Sequence, residues 1–306
     1  MSSFSSKLIH WQQSNGRHHL PWQNTRDPYS IWVSEIMLQQ TQVATVIPYY
    51  LRFLQYFPNV EGLASASLDD VLAKWSGLGY YSRGRNLHRT ARLVMAHYGG
   101  IFPNDYQTIL RLPGIGRSTA AAIAAFAYGA RCAILDGNVK RIFARYFGIE
   151  SYPGERKTEI LLWQKAEELL PVEAGASNSG IEAYTQALMD LGATVCTRLK
   201  PKCAICPLSF DCFALRNDDA GRLPARRPRK PLPEKETALL ILMAGGTLLL
   251  EKRPGKGVWP NLWCLPEMPV GEDPTDYCAR RFGMGIRPLA NSASFMSPFT
   301  HTFTHF

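Results

Sequence analysis

Apolar positions recur at helical spacing through the first two thirds of the chain, and the pattern changes after a Pro- and Arg-rich stretch. From Lys7 to about Arg216 the spacing predicts a series of short helices, with no convincing strand and no internal repeat. Pro28 and Ser30 open one helix through Ile31, Glu35, Ile36, Leu38 and onward. Ser67 and Asp70 form a capping box ahead of Val71, Leu72 and Trp75, and Gly99-Gly100 stops the helix that carries Leu87, Leu93 and Val94. Two further helical patterns, 106–110 and 118–128, flank Leu112-Pro-Gly-Ile-Gly116. The stretch NDDAGRLPARRPRKPLPEKE is poor in apolar residues and reads as a linker over 216–236. After it, 237–243 and 247–251 flank Ala244-Gly245-Gly246, a hairpin signal. The expected organisation is a helical domain over 1–215, the linker, and a smaller β-containing domain over 237–306. The final run FTHTFTHF is expected to continue as a strand past Phe306, which would make that domain a partial one.

Composition narrows the class. The chain has 306 residues, enough for one large or two ordinary domains, with 34 Lys plus Arg against 25 Asp plus Glu and a net charge of +9. That balance favours an acidic partner such as a nucleic acid, and it equally fits a basic soluble surface. The first ten residues contain no apolar leader core, and no window of about eighteen residues is uninterruptedly apolar. A secretory leader and a transmembrane helix are therefore not expected, and the expected location is the cytoplasm, without a membrane partner.

Seven cysteines are present, and four of them, Cys196, Cys203, Cys206 and Cys212, fall within the loop 196–212 as C-x6-C-x2-C-x5-C. Four thiolates so close together form a metal site, either tetrahedral zinc or a four-iron cluster. Zinc ribbons usually carry two C-x2-C knuckles on separate hairpins; one knuckle with a single cysteine on each side suits a cubane better. Cys132, Cys264 and Cys278 are isolated and read as small core residues. Arg198, Lys200 and Lys202 in or beside the loop fit phosphate contacts or solvated charges alike.

Gly114 and Gly116, between two helical patterns, form a helix-hairpin-helix whose backbone amides can hold a DNA phosphate; a plain helical corner is the alternative. Glu35 lies among Val33, Ile36, Met37 and Leu38, a setting that disfavours its ionised form and suits a proton donor. On local pattern alone it also fits a surface carboxylate. Gln39 shares its helix face, and Gln40 and Thr41 follow, offering amides to base edges. Asp136 precedes a helix with Lys140, Arg141 and Arg145, so it fits a helix N-cap as well as the second carboxylate of glycoside-type chemistry.

Taken together, LPGIGRSTAAAI, LDGNVKRIFARYFG and the four-cysteine loop resemble the endonuclease III superfamily of helix-hairpin-helix DNA glycosylases. Within it, VSEIMLQQTQV, GLGYYSRGRNL, RHHLPW and the terminal FTHTFTHF resemble the MutY family of adenine glycosylases. The resemblance implies a mainly α fold, two helical lobes with DNA across the cleft, followed by a truncated MutT-like α/β domain. It implies a 4Fe-4S cluster on the four cysteines, and removal of adenine mispaired with 8-oxoguanine or guanine in double-stranded DNA. Glu35 matches the acid that protonates adenine N7, Asp136 the carboxylate that stabilises the sugar cation, and Asn138 and Ser118 positions beside them. Gln40, Thr41 and Tyr80 match the group that enters the helix around the 8-oxoguanine, and Arg17, Leu20 and Trp22 part of the adenine pocket wall. Phe303-Thr304-His305 match a lesion-sensing F-S-H loop, with Thr304 adding a methyl group where the family carries Ser. The Nudix signature REUxEExGU is not found in the second domain, so pyrophosphatase activity is not expected.

Position 118 separates subfamilies. The strand-cleaving endonuclease III type has a lysine there, whose amine attacks the sugar; this chain has Ser118, so the expected enzyme is a monofunctional glycosylase acting as a monomer on nucleoid DNA. The competing readings are a bifunctional pyrimidine glycosylase and lyase, and a non-catalytic DNA-binding module with structural zinc.

Overall fold

The computed structural model of the chain describes residues 3–172, 179–227, 234–283, 285 and 296–301. It divides into two compact units, Met1–Arg227 and Pro228–Phe306.

The first unit is helical: α1 (Phe4–Asn15), α2 (Pro28–Leu38), α3 (Val43–Tyr56), α4 (Val60–Ser65), α5 (Leu68–Trp75), α6 (Ser82–Tyr98), α7 (Tyr106–Leu110), α8 (Arg117–Tyr128), α9 (Gly137–Phe147), α10 (Arg156–Glu168), α11 (Ser179–Thr194) and α12 (Phe213–Arg216). Local chemistry sets the ends. Asp27 caps α2 through the amides of Tyr29 and Ser30, with Pro28 at the first helical position, where its missing N–H costs nothing. Ser67 accepts from the Asp70 amide at 3.0 Å, as the capping box predicts. Gly99, at φ 59°, closes α6 in the left-handed conformation.

Two apolar cores form, one on Trp32, Phe53, Trp75 and Leu87, the other on Leu8, Phe143, Tyr184 and Leu188. Helix α8 serves both. Ala120, Ile123, Ala124 and Ala127 face the first core, and Ala121, Ala122 and Ala125 face the second. Its run of alanines lets α2 and α11 approach from two sides without side-chain bulk between them. The two lobes therefore share one central helix.

The helical unit continues to Arg227, beyond Arg216 where composition places the start of the linker. Leu223 is buried and its carbonyl accepts from Arg145 Nε at 2.9 Å, while Arg222 pairs with Glu150 at 2.8 Å. One buried leucine among Pro and Arg leaves no periodic signal, which is why composition alone ends the domain early.

In the second unit, β1 (Ala238–Leu239) pairs antiparallel with β6 (Glu267–Met268), β2 (Met243–Ala244) with β3 (Thr247–Leu248), and β4 (Glu251–Lys252) with β5 (Trp263–Cys264). The expected hairpin turn is present: Gly245 and Gly246 take φ of 55° and 79°, the primed two-residue turn. The ladders are two residues long, shorter than the apolar runs predict. Their support is a small core of Leu240, Met268, Tyr277 and Cys278, under α13 (Pro274–Phe282). Thr304 and His305 lie outside the described residues. No helix among the described residues is long and apolar enough to cross a membrane.

Candidate active site

Helix α2 is buried on most of its surface, which forces Glu35 to face a pocket of about 690 Å³. Arg17, Leu20, Trp22, Ser34 and Phe126 line the same pocket. Burial chiefly, and the neighbouring Asp136 charge in the same direction, raise the Glu35 carboxyl to about 8. Asp136 ends the buried segment Ile134-Leu135 and caps α9, accepting from the Val139 amide at 2.8 Å. Burial raises its carboxyl too, opposed by amide bonds from Val139 and Asn138 and by the Arg141 and Lys140 cations. Ser118 Oγ accepts from the Leu135 amide at 3.0 Å and so fixes the residue before Asp136. The Asp136 charge is felt at Glu35, and a carboxyl raised to about 8 holds its proton at neutral pH.

Asn138, the second residue of α9, packs its Cβ against Gly192 of α11. A Cβ placed on Gly192 would stand 2.4 Å from that of Asn138, so Gly192→Ala must displace the start of α9 and Asp136 with it. The expected result is a loss of roughly 1–3 kcal/mol in chemical denaturation, the usual cost of overpacking.

The pocket wall and the layer behind it contain residues that sequence reasoning missed. Asp190 of α11 is wholly buried and accepts from Arg17 at both the backbone amide (2.8 Å) and Nε (2.6 Å), and from Gln186 Nε2 at 2.9 Å. Arg26 pairs with Glu182 at 2.8 Å on the same wall. Glu182, Gln186 and Asp190 repeat every four residues, a polar stripe on an otherwise apolar helix, and that spacing is the sequence signal for them.

Of the expected DNA-facing residues, Gln39 is turned inward: its amide donates to Thr119 Oγ1 at 3.3 Å and reaches the Gly114 carbonyl at 3.5 Å, tying α2 to the hairpin. Gln40 and Tyr80 are exposed, and Thr41 is partly so. In the hairpin, Gly114 has φ 79° and a Cβ there would stand 2.7 Å from Asn86 Cβ; Gly116 at the start of α8 faces open space, as close approach of a phosphate requires.

The four loop cysteines are half-buried and free of disulfides. Burial raises the Cys206 thiol, and the other three thiols raise it further, so the four share one neighbourhood. Two arginines of α9, Arg145 buried and Arg141 half-buried, grip this loop. Arg145 donates to the carbonyls of Thr197 (2.7 Å), Arg198 (3.2 Å) and Leu223, and to Cys196 Sγ at 3.4 Å. Arg141 links the Cys196 carbonyl (2.8 Å) to the Gly192 carbonyl and to Asn138 Oδ1 (2.8 Å) beside Asp136. Among the described residues no three His, Cys, Asp or Glu side chains converge closely enough for a single metal ion. The donor set, four free cysteines whose thiols act on one another, has the chemistry of a four-thiolate centre.

The two helical lobes, the pocket lined from both and the glycine hairpin have the layout of a helix-hairpin-helix DNA glycosylase. Residues 33–168 match the profile of the HhH-GPD superfamily of base excision DNA repair proteins, and 237–306 that of a NUDIX domain. The structure is similar to that of a thermostable thymine-DNA glycosylase, with a TM-score of 0.62 and 32% identity over 70% of this chain and 95% of that one. It shares its fold with an endonuclease III bound non-covalently to DNA, with a TM-score of 0.58 and 18% identity over 70% of this chain and 94% of that one. The adenine DNA glycosylase of Buchnera aphidicola subsp. Acyrthosiphon pisum is 39% identical over 99% of this chain and 84% of its own, and that of Homo sapiens 34% identical over 100% and 65%. The chain belongs to the adenine DNA glycosylase family, enzymes of base excision repair that act on N-glycosyl bonds.

Proposed function

We propose that this enzyme removes adenine opposite 8-oxoguanine or guanine by hydrolysis, leaving an abasic site and an intact strand. The observation that carries the reading is Glu35: a carboxyl raised to about 8, in a pocket large enough for a purine, facing a second carboxyl better supplied with donors. An adenine extruded into the pocket meets Trp22, Leu20 and Arg17. The protonated Glu35 donates to adenine N7, and the glycosidic electron pair leaves with the base. Asp136, ionised and held by α9, stabilises the positive charge on the sugar. The Glu35 carboxylate then takes a proton from the attacking water, which restores the acid. Ser118 offers no amine for a Schiff base and acts by fixing Leu135.

Cys196, Cys203, Cys206 and Cys212 would hold a 4Fe-4S cluster, whose four-thiolate shell leaves no open position for hydrolysis and serves structure and DNA docking. The reading includes a monomer acting on mispaired double-stranded DNA in the cytoplasm, with lesion sensing assigned to Phe303-Thr304-His305.

The test is a single-turnover assay on a duplex with one adenine opposite 8-oxoguanine, each sample split with and without alkali. Product that emerges only after alkali is the expected result. Strand cleavage without alkali, with an adduct trapped by borohydride, would move the chain to the lyase subfamily.

A further inference from the structure

Arg83, in the first turn of α6, is 7% exposed, yet none of its hydrogen-bond partners is a carboxylate. Its two terminal nitrogens bond backbone carbonyls of two separate segments, while Nε, also buried, has no hydrogen-bond partner. Nη1 donates to Ile36 (3.1 Å), Met37 (2.7 Å) and Gln39 (2.6 Å), and Nη2 to Leu78 and Gly79, both at 3.2 Å. The first three acceptors are orphan carbonyls at the C-terminus of α2, where a cation is favoured by the helix dipole. The other two belong to the turn Gly77–Tyr80. Burial lowers the Arg83 pKa to about 10, which leaves it charged at neutral pH. The planar fork also lies between aromatic rings, 5.4 Å from the centre of Trp75 and 5.3 Å from that of Tyr80.

Both turns end in strained residues. Gln40 has φ 56° and Tyr80 φ 45°, the left-handed region that side chains avoid without local support. Each turn has secondary ties: Trp75 Nε1 donates to the Gly79 carbonyl at 3.0 Å, Tyr49 Oη to Ser76 at 2.9 Å, and Gln39 to Thr119. Arg83 bonds to both turns at once.

We propose that Arg83 is a positioning residue that locks the 39–41 and 77–80 turns into one preset wedge, so that extrusion of the base depends on it more than bond breaking does. The proposal rests on the adenine glycosylase reading above and adds the element that holds its DNA-facing turns. Lys at this position keeps the charge but not the two-pronged fork whose Nη1 and Nη2 bridge the segments.

The experiment uses the full chain with Arg83→Lys. One arm is single-turnover excision on an adenine:8-oxoguanine duplex over a pH series. The other places 2-aminopurine at the scissile position in a Glu35→Gln background and follows its fluorescence as the base leaves the stack. The expected result is extrusion slowed tenfold or more, with the alkaline limb of the excision rate unmoved. Unchanged extrusion with a shifted pH limb would overturn the proposal, because Arg83 would then act through Glu35; unchanged behaviour in both arms would overturn it as well. A wild-type chain that neither cleaves adenine nor extrudes the analogue would instead sink the functional reading beneath it. Hydrogen exchange on the free wild-type enzyme gives an answer without any variant. Amides of 38–41 and 77–81 should be protected together, and fast exchange in either turn would rule out a preset wedge.

Discussion

Glu35→Gln is expected to lower adenine excision by about three orders of magnitude, the upper part of what a general acid supplies, while making the protein more stable above pH 8. The two effects share a cause. Glutamine keeps the shape of the side chain but has no acidic proton for the leaving base. In the wild type the proton is retained because burial and Asp136 raise Glu35 to about 8 from an ordinary 4.5. Between these values the native state binds more protons than the unfolded state, so the stability associated with this group is fully present below about 4.5 and is lost as pH rises through 8. Glutamine, neutral throughout, escapes that loss. The denaturant midpoint of the variant should match the wild type near pH 4.5 and exceed it above pH 8, by roughly 1–3 kcal/mol at about 1.4 kcal/mol per pKa unit after allowance for solvent access. Wild-type activity should fall as pH rises through 8. A stability gain that does not vary with pH, or excision that survives the substitution, would remove Glu35 from the role of acid.

How much of this was legible in sequence depends on whether the signal is local. Capping residues, the Gly99 stop, the Gly245-Gly246 turn and Asp136 as a helix cap are all encoded within a few residues, and the structure has each of them. Glu35 was legible as a carboxylate among apolar residues, but the facing of Glu35 and Asp136 across about a hundred residues of chain came only from the family resemblance. Arg141 and Arg145 read as the basic face of a helix; in the structure they turn inward, because the loop carbonyls they bind lie some fifty residues downstream. Gln39 looked free to meet a base edge and is instead a brace to Thr119. Arg83 was invisible for a similar reason. A guanidinium that pairs with carbonyls needs no acidic partner, so no charge pattern marks it.

Cys203→Ala is expected to cost folding and DNA binding together. The segment 196–212 has little of its own to hold it: two short 3₁₀ turns, one buried apolar residue in Leu208, and Leu199, Ile205 and Phe210 left 72%, 61% and 76% exposed. What orders it is the grip of Arg145 and Arg141 on its carbonyls, together with whatever the four cysteines bind. Binding energy at a four-thiolate centre is folding energy, roughly 10 kcal/mol in apparent terms for structural sites, comparable to the whole stability of about 5–15 kcal/mol that a domain commands. Once the loop loosens, the buried Arg145 guanidinium loses its acceptors at Thr197 and Arg198, and the cost of an unpaired buried charge falls on α9, whose first residue is positioned by Asp136. The disturbance therefore reaches Asp136 as well as the cysteine loop. Purified Cys203→Ala should lack the visible absorbance of an iron-sulfur protein, melt at a much lower temperature and bind mispaired duplex weakly. A colourless variant that still binds the duplex normally would show that the arginine grip alone suffices to order the loop.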